Sequence, residues 1–109
     1  MEFNWYQGAE RCMARLSADF LRIKKEHLDR GDYGGALESW QFSLSDSNHM
    51  AFEPHITQYF FKGITFNGSA IMLRDALERT DEKQIRFSSE ILLGCIAQEK
   101  VRRKAEGPS

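Results

Sequence analysis

The sequence predicts an all-α fold: a small helical bundle of three long helices and one short helix, paired as a dimer. Three observations lead there. Apolar side chains recur at helical spacing through most of the chain. The breaks between these runs are short and marked by glycine or proline. The first run is also long enough to outreach its neighbours within one monomer, which favours a homodimer.

The first run spans residues 4–30. Tyr6, Met13, Phe20 and His27 lie seven apart, Ala9, Leu16 and Ile23 fill the intervening positions, and Cys12 and Leu28 widen the stripe. That is a seam of period 3.5. Arg22, Lys24, Lys25 and Arg30 gather toward its C-terminal end, where cations complement the helix dipole. Gly31 then supplies the left-handed residue that ends a helix, and Gly31-Asp32-Tyr33-Gly34-Gly35 reads as a tight connection.

The short helix is expected over 34–45, carried by Ala36, Leu37, Trp40 and Leu44. The serine-rich stretch after it reads as loop. Pro54 restarts the chain at the first position of a helix. A heptad-like seam of Ile56, Tyr59, Gly63, Phe66, Ala70, Leu73 and Leu77 extends that helix over 54–79. Residues 63–68 leave three readings open. Gly63 and Gly68 each cost a helix about 1 kcal/mol relative to alanine, so the stretch 59–68 is a continuous helix, a strand and turn, or a helix break with Ser69 capping a new start. The last helix is placed at 81–104. Asp81 and Gln84 resemble a capping box, and Ile85, Ser88, Leu92, Cys95 and Ile96 form the buried face. Residues 105–109 read as a frayed tail.

Composition narrows the function classes. A chain of 109 residues, 41% of them apolar, suits one domain with one core. The formal charge of −1 makes no overall electrostatic case for nucleic acid or an anionic membrane. No apolar run reaches the ~20 residues of a membrane span, and Met1-Glu2-Phe3-Asn4-Trp5 lacks the features of a signal peptide, so a cytoplasmic location is expected. Cys12 and Cys95 each sit in an apolar stripe and are expected to be unbonded core residues.

Residues 20–48 resemble a single degenerate tetratricopeptide repeat: Phe20, Ile23 and His27, then Gly31-Asp32-Tyr33, then Ala36-Leu37, Trp40 and Ser43. Lys24 and Asn48 depart from that repeat's glycine and proline, and no second copy follows. The resemblance implies an antiparallel helix pair hinged at Gly31. In size, helix content and lack of a site, the whole chain is similar to the small QslA-like antiactivators of LuxR-type quorum-sensing regulators. That resemblance implies sequestration of a transcription factor and carries no residue roles.

No catalytic motif is present, and no cofactor is expected. His49, Glu53 and His55 are the best-spaced metal ligands, but they lack the further ligand a zinc site needs and read as polar loop residues. A Cys–His pair would require His27 to meet Cys95. The glycine-rich connection has no Lys-Ser/Thr and is a turn, not a phosphate loop.

Charge and aromatics carry the strongest signal. Residues 31–61 contain no Lys or Arg, while Trp40, Phe42, Phe52, Tyr59, Phe60, Phe61 and Phe66 cluster in and just after that stretch. Trp40 and Phe42 point to different helix faces, and Phe60 and Phe61 are adjacent, so one narrow seam cannot bury them all. Aromatics in a charge-depleted patch characterise interface cores. Trp40, Phe42, Phe52, Tyr59, Phe60 and Phe61 are therefore the expected partner-binding residues of a non-enzymatic protein-binding regulator. One alternative is a nucleic-acid-binding regulator using the basic clusters of helix one and Lys100, Arg102, Arg103 and Lys104. The other is a ligand-binding bundle with a pocket lined by Tyr6, His27 and Cys95.

Overall fold

The computed structural model describes residues 5–47 and 59–106, with side chains over 8–47 and 59–101. Helix accounts for 86% of the described residues, in four helices, which places the fold in the all-α class apart from one small hairpin. In chain order these are α1 (Trp5–Glu26), a 3-10 turn (Leu28–Arg30), α2 (Tyr33–Ser47), β1 (Phe60–Phe61), β2 (Ile64–Thr65), α3 (Phe66–Arg79) and α4 (Glu82–Glu106).

Helix α1 buries the predicted seam: Ala9, Cys12, Met13, Leu16, Phe20 and Ile23 all face the core. It ends earlier than residue 30. His27 leaves helical geometry (φ −126, ψ −58), and Gly31 takes the left-handed conformation (φ 73). The cause lies in Asp32. One carboxylate oxygen accepts from the Gly35 amide at 3.0 Å and so caps α2; the other lies 2.8 Å from His27 Nδ1. His27 is thereby drawn off the seam into the connection. Helix α2 is longer than expected because Ser47 is satisfied within it and Ser43 by α1. Ser47 Oγ donates to the Leu44 carbonyl, and Ser43 Oγ donates to Asp19 at 2.5 Å.

Three cross-helix contacts run in opposite order along α1 and α2: Arg15 with Asp46, Asp19 with Ser43, and the Phe20 ring edge-on to Trp40 at 6.0 Å. The pair is therefore antiparallel. Trp40 is fully buried, and its indole N–H donates to the Ala70 carbonyl at 2.9 Å, tying α2 to α3.

The continuous helix over 54–79 does not form within the described residues. Residues 60–65 are an antiparallel hairpin pairing Phe60 with Thr65 and Phe61 with Ile64. Its two-residue turn, Lys62-Gly63, has positive φ at both positions (53 and 78), the twist that suits tight hairpins. Thr65 then caps α3 by accepting from the Gly68 amide at 3.0 Å. Phe66, Ala70, Leu73, Ala76 and Leu77 bury the inner face of α3.

A left-handed Thr80 closes α3, with the Thr80 and Asp81 amides bonded to the Leu77 and Ala76 carbonyls. Asp81 caps α4 through the Gln84 amide at 3.3 Å. Only this half of the expected capping box forms, because the Asp81 amide is already bonded to Ala76. Helix α4 continues through residues 105 and 106, which were expected in the tail; 107–109 lie outside the described residues. Among the described residues no helix is long and apolar enough to cross a membrane.

Candidate functional site

The hairpin is held against α4 by three contacts from adjacent residues. The Phe61 ring lies over Gly94, where any β carbon would overlap it. Lys62 Nζ reaches Glu90 Oε1 at 2.8 Å and sits 5.6 Å from the Phe61 ring centre. Beneath them, Cys95 Sγ lies 3.8 Å from the carbonyls of both Tyr59 and Ile64. Burial pushes the Cys95 thiol up to about 11, and it raises the Cys12 thiol as well, there against the opposing effects of the Ser47 hydroxyl and the Arg15 charge. Both cysteines are unbonded and buried, as their setting in apolar stripes predicts.

Phe87, Gly94 and Val101 lie seven apart on α4 and so share one helical face. Phe87 and Val101 are exposed, the latter at 67%. The Phe61 ring seated on Gly94 lies between them along the outer side of α4, and the Lys62–Glu90 ion pair sits on the same face. Leu93, about 100° further round α4, is also exposed. The inner face of the same helix buries Ile85, Ile91, Leu92, Cys95 and Ile96. Helix α4 is therefore apolar on two sides.

The expected partner-binding residues divide. Phe42 and Phe60 are exposed at 67% and 51%. Phe42 stands about 200° around α2 from Trp40, the outer side of that helix. Phe61 is half-buried on Gly94. Trp40 and Tyr59 are core residues, which corrects their assignment to the surface: the Ala70 hydrogen bond and the Phe20 contact hold Trp40 inside, and Tyr59 lies under the hairpin at 6% exposure. Phe52 lies outside the described residues, as do His49, Glu53 and His55.

The other chemical candidates separate as well. His27 pairs with Asp32 in the connection while Cys95 packs under the hairpin, so they form neither a Cys–His pair nor the two sides of one pocket. No cluster of three or more His, Cys, Asp or Glu able to hold a metal occurs among the described residues. In helix one, Arg22 is paired with Glu26 and Lys24 with Asp29.

The chain matches no protein-family model, no curated protein and no solved structure. The site is therefore read from its own geometry. Phe87, Leu93 and Val101 were absent from the sequence-based candidates. The signal that could have found them is the second seven-residue spacing in α4, Phe87–Gly94–Val101, offset from the seam of buried residues.

Proposed function

We propose that the chain is a non-enzymatic protein-binding regulator that docks a helix of its target along the outer face of α4. The observation that carries this reading is the row of apolar side chains Phe87, Phe61 (on Gly94) and Val101 at seven-residue spacing, on a helix whose other face already fills the core. Positions repeating every seven residues match the spacing an amphipathic partner helix presents. An exposed row of this kind on a small domain favours a binding surface over a solvated one. Phe60 and Phe42 extend the apolar surface beyond α4.

The mechanism is occlusion. Covering a hydrophobic surface that a transcription factor needs for dimerisation or ligand response would silence it, the mode of action of the antiactivators that the chain resembles. The internal pairing of Arg22 and Lys24 favours this reading over the nucleic-acid alternative, since those cations are already matched to carboxylates.

The test is affinity capture from the native host with the wild-type chain and with Phe87→Ser and Val101→Ser. A stoichiometric partner retained at high salt on the wild type, and lost on both folded variants, supports the reading. Truncating a central anchor should cost at least ~2 kcal/mol of binding. Capture that is unchanged by both substitutions refutes it. Sedimentation of the same proteins decides whether two copies of this chain use the stripe instead.

A further inference from the structure

Charge is unevenly placed along the exposed side of α4. Glu90, the exposed carboxylate between Phe87 and Val101, is held by Lys62 of the hairpin at 2.8 Å. Glu99 lies about 140° round the helix from Gly94 and so points away from the row. Arg86 has Glu82 one turn before it. Two cations remain. Lys83 precedes Phe87 by one turn, Lys100 adjoins Val101, and both are exposed. Neither forms an ion pair among the described residues, and neither has a carboxylate three or four residues away along the helix. With Glu82 assigned to Arg86 and Glu90 to Lys62, the uncompensated charge is positive and stands at both ends of the apolar row.

This pattern constrains what can lie on the row. Lys83 and Lys100 are separated by about 26 Å along the helix axis. Between them the surface is apolar apart from one matched ion pair. Long, flexible lysine side chains can lean over a docked neighbour while their ammonium groups stay in water. Unmatched charges at the rim of an apolar surface select the partner and speed its arrival, while the apolar centre holds it.

We infer that the partner of this face is an acidic amphipathic helix. The inference rests on the docking reading of α4 given above and adds the charge of what docks. Apolar side chains of the partner meet Phe87, Phe61 and Val101 at seven-residue spacing, and its carboxylates lie at both ends of that stretch, opposite Lys83 and Lys100. Its middle is uncharged, since a carboxylate there would face Glu90 and a cation would face Lys62.

The experiment is a fluorescence-anisotropy titration of the full chain against two designed peptides. Both are about 24 residues long, locked as helices by a side-chain staple, and carry the same leucines at heptad spacing. One has glutamates in its two terminal turns and the other has lysines there. The glutamate peptide is expected to bind about tenfold more tightly at low salt, with the difference shrinking as salt is raised. The double variant Lys83→Glu, Lys100→Glu changes exposed positions only and should reverse the preference, and Phe87→Ser should weaken both peptides. Equal affinity for the two peptides, lowered by Phe87→Ser, would overturn the acidic partner while leaving the docking reading standing. Binding of neither peptide, or binding indifferent to Phe87→Ser, would overturn both. A preference that survives the charge reversal, or displacement of the glutamate peptide by duplex DNA, would also overturn the assignment, the latter by giving the two lysines to nucleic acid.

Discussion

The Phe61 ring rests directly on the α carbon of Gly94, and no side chain larger than hydrogen fits beneath it. In an ordinary helix interior, Gly→Ala stabilises by about 1 kcal/mol. Here the added methyl must displace the ring or strain the helix, and overpacking of this kind costs about 1–3 kcal/mol. Gly94→Ala is therefore expected to lower stability by about 1 kcal/mol in urea unfolding. In a Phe61→Ala background the ring is gone, and the same substitution should become stabilising. Additive effects of the two changes would mean that the contact does not exist.

The two thiols provide a readout of the hairpin. Cys12 and Cys95 are buried with raised pKa values, and Cys95 lies under the Tyr59 and Ile64 carbonyls. A thiol reagent at pH 8 should label neither cysteine readily in the native protein, because the thiolate is the reactive species. Gly94→Ala should accelerate labelling of Cys95 more than that of Cys12. Equal acceleration at both sites would indicate global unfolding rather than release of the hairpin.

Two adjacent glycines in α2 should respond in opposite directions. A β carbon at Gly34 meets nothing, whereas one at Gly35 overlaps the Asp32 carboxylate and lies 2.7 Å from His27 Nδ1. Gly34→Ala should raise the melting temperature, and Gly35→Ala should lower it by breaking the cap and the His27 contact together. Circular dichroism melts of the two variants compare them directly.

Acid should weaken the same connection. The His27 hydrogen bond, and secondarily the Gly35 amide, hold the Asp32 carboxyl below its ordinary value of 3.8. A depressed folded-state value means that the contribution is complete above the unfolded value and is lost as pH falls through the folded one. The stability difference between wild type and Asp32→Asn should therefore shrink as pH falls below 3.8. Chemical denaturation across that range measures it. A difference that stays constant to the lowest pH would exclude Asp32 as the titrating group.

The ends of α3 should respond oppositely to substitution. Thr80 is β-branched yet left-handed (φ 51), a conformation costing roughly 1–2 kcal/mol for a residue with a side chain. Thr80→Gly should recover about 1 kcal/mol. Thr65→Ala removes the acceptor for the Gly68 amide and should cost about 1 kcal/mol. Urea midpoints for the two variants check both signs.

Much of the fold was legible because burial in helices leaves a periodic trace. The seams from Ala9 to Ile23, from Phe66 to Leu77 and from Ile85 to Ile96 are the ones that fill the core. The hairpin was harder to read. Tyr59 and Phe66 fit a helical seam seven apart, yet they flank the hairpin, with the Phe66 amide donating to the Tyr59 carbonyl at 2.7 Å. Local spacing cannot separate these outcomes when a Lys-Gly turn and a threonine cap compete with helix continuation at similar energy.

The candidate surface depended still more on packing. An aromatic cluster in the sequence does not distinguish a core from an interface, because both favour the same side chains. Trp40 went inside because its indole N–H found the Ala70 carbonyl thirty residues away, whereas Phe42, two residues on, stayed outside. By itself the sequence determined the helical class, the burial of both cysteines and the breaks at Gly31 and Thr80-Asp81, since periodicity, capping and left-handed residues act over a few positions. Only the tertiary structure decided which apolar stripes remain uncovered, that Phe61 sits on Gly94 of α4, and that Lys62 pairs with Glu90. Those outcomes rest on contacts between distant residues, which leave no local pattern in the chain.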